Sequence, residues 1–554
     1  MRNYKKYFFM KPFGLTITTI TLFLVCPVVF WSCKKLDQAP SDRFTDLTYW
    51  TTPDHANSVL NMAYSQMFRD DYFFYNEGLS DNAYNGRNDV DNTTSIANGS
   101  YNAALPRFDQ EWSYHYAGIK TCNVLLDNIG RISNYPALQK SQVIAQARFI
   151  RAFHYLQLTT WFGDVPLFQH DISYSQSVSI KRTPHAQVLS FILGELDSAA
   201  AVLPVNTAYG AGDQGRVTKG AALALKARAQ LYENDWNGVS ATCGNLINGA
   251  GNGTYGLVAR YDSVFSPYNE HNSEVMLDLE YVPIQRTYAD LFDMVPISVG
   301  ARDNALAPTQ ELVNDYVMLN GMGINDPGSG YNPNNPYNGR DPRMTSTVVY
   351  HQYQWKNAGG STRTIYIKPG SDPNNSRPDE YSGPSANASP TGYYTRKYFD
   401  PSSQVNFKSG LDLILIRYAD VLLMYAEARN ELGNVNAGVW NQTIGALRIR
   451  AGFTDPGATQ FNAALSKDSL RSIIRRERRC ELAMEGLRVF DIRRWKTAEV
   501  VLNGWAHGAQ YGDPATDNGF IRLSQRTFSS RNYLWPVPNY ETAQNPNLTQ
   551  NPGW

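Results

Sequence analysis

Apolar positions recur at helical spacing through two blocks of the chain and lose that period between them. After Thr52 and Pro53, the residues Val59, Leu60, Met62, Ala63 and Met67 mark a first helix. Residues 70–110 break the pattern. They are polar, aromatic and rich in Gly and Asn, and read as a long loop of the kind that carries function on a helical scaffold. Helical faces return at 112–130 (Trp112, Tyr116, Ile119, Leu125, Leu126, Ile129) and at 141–162 (Ile144, Ala147, Phe149, Ile150, Phe153, Leu156), until Gly163 and Pro166 end the second. A further helix spans 185–203. Thr218 caps the next, in which Ala221, Ala222, Ala224, Ala227 and Ala229 permit close approach, and Asp235 opens its partner. Paired helices with small residues at their crossings predict tetratricopeptide-like units.

Between residues 250 and 410 the period fails. The runs Val275–Leu279 and Thr347–Tyr350 read as strands between turns, and 323–342 is almost all turn chemistry. Helices resume at 411–432, at 436–451, and again after Asp468, which caps a helix beginning near Ser469. Leu470, Ile473, Ile474, Cys480, Ala483 and Met484 form its apolar stripe, and Gly486 falls where it stops. The prolines after Trp535 predict a tail wrapped extended over the surface.

Charge changes the picture of that last helix. Glu477, Glu481 and Glu485 recur at i+4, a like-charge row that destabilises a helix unless each carboxylate meets a cation. Arg478 to Glu481 and Glu485 to Arg488 are i+3 neighbours that supply some. We read Glu477, Arg478, Glu481, Glu485 and Arg488 as a structural ion-pair network. The alternatives are a glycosidase acid and base or a phosphate-binding face.

Composition narrows the classes. A chain of 554 residues has room for one to three packed units. Its 50 basic and 50 acidic residues exclude a nucleic-acid footprint over the whole chain. The 35 tyrosines and 11 tryptophans suit interfaces and the flat faces of sugars. The cysteines show no metal or disulfide spacing, and Cys122, Cys243 and Cys480 read as small core residues. The histidines form no HExxH, and no GxSxG elbow is present, so no metal, cofactor or acyl-transfer motif appears.

At the start of the chain, Arg2, Lys5, Lys6 and Lys11 precede an apolar run from Phe13 to Trp31, the pattern of a secretory signal rather than a membrane span. Ser32 and Cys33 then resemble a bacterial lipobox, with Phe30 and Trp31 bulkier than usual. This predicts a signal peptide over 1–32, lipidation at Cys33 and a tether over 33–52.

Seven segments, in order, carry a resemblance: ARFIRAFHYLQLTTWFGDVPL (147–167), GRVTKGAALALKARAQLY (215–232), PTQELVNDY (308–316), RDPRM (340–344), RYADVLLMYAEARNELG (417–433), RRERRCELAMEGLRVFDIRRW (475–495) and PNLTQNPGW (546–554). Together the chain resembles the RagB/SusD family of nutrient-binding outer-membrane lipoproteins. The resemblance implies a mainly α fold: a tetratricopeptide-like scaffold over 53–250 and 411–554, with an irregular, partly β, ligand-binding insertion over 251–410. It also implies a lipid-anchored place on the outer face of the outer membrane, and a SusC-like TonB-dependent β-barrel transporter as partner. The ligand is then an oligosaccharide, or a peptide in some relatives, and no catalysis is expected.

The family shares no binding motif in its loops, so site residues are chosen on chemistry, with aromatic faces for sugar rings and amides or charges for hydroxyls. Asp81, Tyr84, Asn85, Arg87 and Tyr101 come from the first loop, and Tyr288, Arg302 and Trp355 from the insertion. Trp112 and Tyr116 lie in a helix and read as core. The rival enzyme is a surface glycoside hydrolase pairing Asp81 with Glu77 or Asp109. A purely structural surface protein is the third class.

Overall fold

The computed structural model describes residues 46–554 apart from 88, 250, 358, 384–385 and 402–406. The expected signal peptide, the expected lipidation site Cys33 and most of the expected tether lie outside the described residues. A one-turn helix, Asp46–Tyr49, belongs to the N-terminal unit, and a compact body runs from Thr52 to Trp554. No helix among the described residues is long and apolar enough to cross a membrane.

The body is built on a run of helices, each packed on the next in sequence. Pro53–Ser65 lies on Pro106–Asn128, which lies on Ala137–Phe162, then His185–Val202, Lys219–Tyr232 and Trp236–Asn248. The run then skips the insertion: Trp236–Asn248 packs on Tyr418–Glu431, which packs on Lys467–Glu481. Such nearest-neighbour stacking is the logic of a helical-repeat scaffold. Two of its caps were legible. The Thr218 side chain accepts from Ala221 N, and Asp235 from Gly238 N, each satisfying a first-turn donor. The five alanines of Lys219–Tyr232 are fully buried, which lets this helix contact neighbours on both sides.

Several elements differ from the sequence reading. Leu413–Arg417 is a strand, not the first turns of a helix. It pairs antiparallel with Val275–Leu279, and the helix starts only at Tyr418. Each of its residues is buried, so its apolar run carries no one-sided period that marks a helix. The 436–451 helix breaks at Thr443 into Ala437–Gln442 and Ile444–Ala451. The 70–110 stretch is not an open loop. It folds into the helices Asp70–Tyr75 and Thr93–Ala97 and the strand Ala83–Asn85, with Tyr72, Phe73, Phe74 and Tyr75 buried. The tail contributes Trp535 to the core, its ring stacked on Trp161 at 3.9 Å between centroids, and adds the helix Asn539–Gln544. All ladders among the described residues are two-stranded.

The charged helix spans Lys467–Glu481 and is capped by Ser466, whose side chain accepts from Ser469 N, rather than by Asp468. It ends before Gly486, so residues 485–488 leave helical spacing, and Met484 and Gly486 take positive φ. Gly486 has no room for a side chain: a Cβ there would stand 2.6 Å from Phe73 O. The expected i+3 pairs do not form, and the charges reach outward instead. Glu481 accepts from Arg343 at 2.8 Å, Arg417 at 2.7 Å and Arg450. Glu477 meets Arg343 at 2.7 Å and Arg448 at 2.8 Å, while Glu485 meets Arg417 at 2.8 Å and Lys397 at 2.6 Å. Glu274 and Asp341 complete the set through Arg417 and Arg343 at 2.6 and 2.7 Å. Five carboxylates therefore face four arginines and one lysine in a buried, charge-balanced knot. Arg478 turns to Asp420 and Asp491, at 2.5 and 2.8 Å. Breaking one member of a buried set leaves an uncompensated charge, which is why such a knot fixes one arrangement of the elements it joins.

Candidate functional site

The strand pair Ala83–Asn85 with Leu306–Pro308 brings the first polar stretch onto the insertion. Tyr84 stands opposite Ala307 and Asn85 opposite Leu306, and Gly86 N donates to Ala305 O at 2.8 Å. A Cβ at Gly86 would lie 2.5 Å from Pro390, so glycine is required for this close approach. Asn85 is buried and shapes the turn. Its Oδ1 accepts from Arg87 N at 3.3 Å, and its Nδ2 donates to Val90 O at 3.2 Å. Arg87 then leaves the strand end toward the insertion, donating to Asn387 Oδ1 at 2.9 Å and standing 3.4 Å from Asp303 Oδ2. Alongside, exposed Arg302 donates twice to Asp293, at 2.9 and 2.7 Å. Burial raises the Asp293 carboxyl above its ordinary range, and Arg302 offsets part of that.

The result is a surface patch of Arg87, Asp293, Arg302, Asp303 and Asn387, in which donors and acceptors alternate, while Tyr84 stands half-buried on the adjoining strand with its hydroxyl nearer the charges of Arg526 and Asp89. Directional polar groups of this kind suit a ligand dense in hydroxyls. Asp293, Asp303 and Asn387 were missed in the sequence. Only the adjacency of Arg302 and Asp303 hinted at them, and Asn387 stands 300 residues from its partner Arg87.

The other residues chosen from sequence are not brought to this patch. Asp81 is buried and ion-paired with Arg488 at 2.8 Å and Arg479 at 3.0 Å. The Tyr101 hydroxyl accepts from Asn532 at 2.6 Å, and its ring packs against Phe108 and Trp554. Tyr288 is wedged between Phe74 and Tyr281, with its backbone paired to Ser409. Trp355 is 1% exposed, covered by Phe399 and by the Arg396 guanidinium 4.4 Å from its ring. These four side chains are committed to protein partners and offer no face to a ligand in this structure. Of the two helical aromatics, Trp112 is buried, while Tyr116 is half-buried and donates to Pro166 O at 2.8 Å.

A cleft of about 560 Å³ lies elsewhere in the insertion, lined by Arg260, Tyr268, Tyr353, Gln354, Arg396 and Phe399 among others. Tyr268 is 79% exposed at its rim. Lys397 lines it too, bonded to Glu485 of the buried knot; burial draws its ammonium down to about 8, against the pull of Glu485.

Asp81 does not offer the protonated carboxyl that a glycosidase acid needs. Burial favours its neutral form, but Arg479 and Arg488 outweigh burial and hold the carboxyl well below its ordinary range, so it carries no proton to donate near neutral pH. Glu77 is fully buried, accepting from Asn82 Nδ2 at 2.8 Å and Gly486 N at 2.7 Å.

Two family models match the chain: one described as the SusD family over residues 280–554, and one described as starch-binding associating with outer membrane over residues 43–231. The SusD-like protein P2 of Formosa agariphila is 26% identical over 98% of this chain and 100% of its own length. A solved SusD-like carbohydrate binding protein from Bacteroides fragilis shares 29% identity at a TM-score of 0.81, covering 91% of this chain and 100% of that one. A solved laminarin binding SusD-like protein superposes with a TM-score of 0.66 at 22% identity, over 91% of this chain and 100% of its own.

Proposed function

The chain belongs to the RagB/SusD family, and on that premise we propose that it is a lipid-anchored, cell-surface protein that captures oligosaccharides without cleaving them. It passes them to a SusC-like TonB-dependent β-barrel transporter in the outer membrane. The observation that carries the reading is the patch at the Ala83–Asn85 and Leu306–Pro308 pair, where the polar 70–110 stretch and the ligand-binding insertion expected from the resemblance meet in alternating guanidinium, carboxylate and amide groups. The half-exposed Arg87 and Arg302 side chains supply donors for sugar hydroxyls. Binding asks no proton transfer of these residues, in keeping with a carrier rather than a hydrolase. Capture then delivers ligand when the protein closes over its barrel as a lid.

Affinity electrophoresis of the mature protein through gels containing single polysaccharides tests this reading, with chromatography of the same glycans after incubation. Laminarin is a natural first probe, because a solved neighbour is described as binding it. Retardation by at least one glycan, recovered at its original length, is expected. Shortened glycan would overturn the non-cleaving reading, and retention of peptides alone would move the ligand class to peptides.

A further inference from the structure

A separate cavity of about 470 Å³ lies between the helical scaffold and the tail, lined by Thr160, His185, Tyr232, Phe490, Arg493 and Lys496 among others. Tyr232 and Phe490 stack at 5.8 Å between centroids and give it an aromatic wall. The helix Arg488–Arg494 and the turn after it deliver the cations. Much of the charge in the lining is already answered. Arg494 donates to Glu427 at 2.8 and 2.6 Å and to Asp491 at 2.9 Å. Glu233 stands 2.8 Å from His185 Nε2, and Asp164 accepts from His185 N at 2.8 Å.

Arg493 and Lys496 are the exceptions. Arg493 is 9% exposed, and among the described residues no carboxylate pairs with it. Its Nη1 donates to Tyr533 O at 2.7 Å, and its guanidinium lies 5.0 Å from the Trp161 ring and 5.7 Å from that of Phe528. Its Nε has no hydrogen-bond partner. Burial draws the group down to about 10, opposed by Tyr101 and Tyr533. A buried cation left without a counter-charge is costly.

Lys496 gives an independent sign. The helix closes in a Schellman turn, in which Thr497 N donates to Ile492 O at 2.9 Å and Lys496 N to Arg493 O at 3.1 Å, with Lys496 at φ 55°. Glycine suits that position, and any side chain there costs about 1–2 kcal/mol. The lysine nonetheless keeps its ammonium 4.1 Å from the Tyr533 ring, in the cavity lining, and among the described residues no carboxylate stands at ion-pair distance from it.

We infer that Arg493 and Lys496 form a binding site for the oxyanion group of a small ligand, a carboxylate or sulfate carried by a sugar or free in solution. The guanidinium and the ammonium hold its oxygens by charge-assisted hydrogen bonds. The Tyr232 and Phe490 wall offers an apolar face to a ring beside the anion. The site is distinct from the Arg87 and Arg302 patch, so neutral glycan there and oxyanion here bind independently.

Calorimetric titration of the mature protein at constant ionic strength, with sodium sulfate, sodium glucuronate and glucose as separate titrants, tests this. One sulfate or one glucuronate per chain is expected at this site, and whichever binds identifies the oxyanion. Lys496→Gly should weaken that binding by roughly tenfold or more, the weight of one charge-assisted hydrogen bond. Because glycine relieves the left-handed turn, the unfolding temperature should stay level or rise. Arg493→Gln should abolish binding, and Lys496→Gly decides the matter if that variant fails to fold. No saturable binding of either anion, binding that Lys496→Gly leaves intact, or glucose bound as tightly with the same loss in Lys496→Gly would each overturn the assignment.

Discussion

Replacing Glu481 by alanine removes the carboxylate at the centre of the buried knot. Glu481 is fully buried and accepts from three guanidinium groups, those of Arg343, Arg417 and Arg450. Burial by itself would favour its neutral form, but these arginines outweigh burial and hold the carboxyl well below its ordinary range. The alanine variant leaves five buried cations facing four carboxylates, with no space-filling apolar group in exchange. Breaking a buried pair in this way costs about 3–5 kcal/mol. With an unfolding entropy of about 2.1 cal/mol/K per residue, a body of about 500 residues loses roughly 1 °C per kcal/mol, so the unfolding temperature should fall by about 3–5 °C. Differential scanning calorimetry reads this directly, and glycan affinity electrophoresis at 20 °C below the transition reads the surviving fold. Unchanged affinity with a lowered transition is expected. A transition within about 1 °C of the native value, or lost binding at an unchanged transition, would refute the structural role assigned to this helix.

Three further outcomes follow from the same contacts. Trp535→Ala should destabilise by about 3–5 kcal/mol in urea unfolding, because it removes a fully buried ring stacked on Trp161. Below pH 5 the stability should drop. Asp81, Asp420 and Glu481 have carboxyls held low by arginines despite burial, so their contribution is complete above the unfolded value of about 4 and is lost as pH falls toward their folded values. Urea midpoints measured from pH 3 to 7 check this. His185 has the opposite sign: the Glu233 carboxylate, at 2.8 Å, raises its imidazole, so its contribution is full below about 6.5 and is lost as pH rises through the folded value. His185→Gln should flatten that segment of the stability profile.

How much of this was legible depends on how far each feature reaches along the chain. The caps at Thr218 and Asp235 and the alanine face of Lys219–Tyr232 are local, and the sequence read them correctly. The charged helix announced itself by its density of alternating sign, but its partners did not. Arg343 lies 138 residues from Glu481, and Asp81 lies 407 from Arg488, so only the tertiary fold assigns them. The strand Leu413–Arg417 runs on into the helix in the sequence pattern because a fully buried apolar run carries no one-sided period to separate the two. Asp81, Tyr101, Tyr288 and Trp355 have chemistry suited to a ligand, but the same chemistry suits ion pairs and aromatic packing, and composition cannot separate the two. Arg87 and Arg302 remained at the surface, where the Ala83–Asn85 strand meets the insertion.

The central claim is that this patch holds the glycan. Calorimetric titration of the best-retained oligosaccharide into native protein and into the Arg87→Ala, Arg302→Ala double variant tests it most directly, with Tyr268→Ala in the larger cleft as the control. The account predicts at least a tenfold loss of affinity in the double variant, none at Tyr268→Ala, and native unfolding temperatures for both. Full affinity in the double variant together with loss at Tyr268→Ala would contradict it and place the ligand in the cleft.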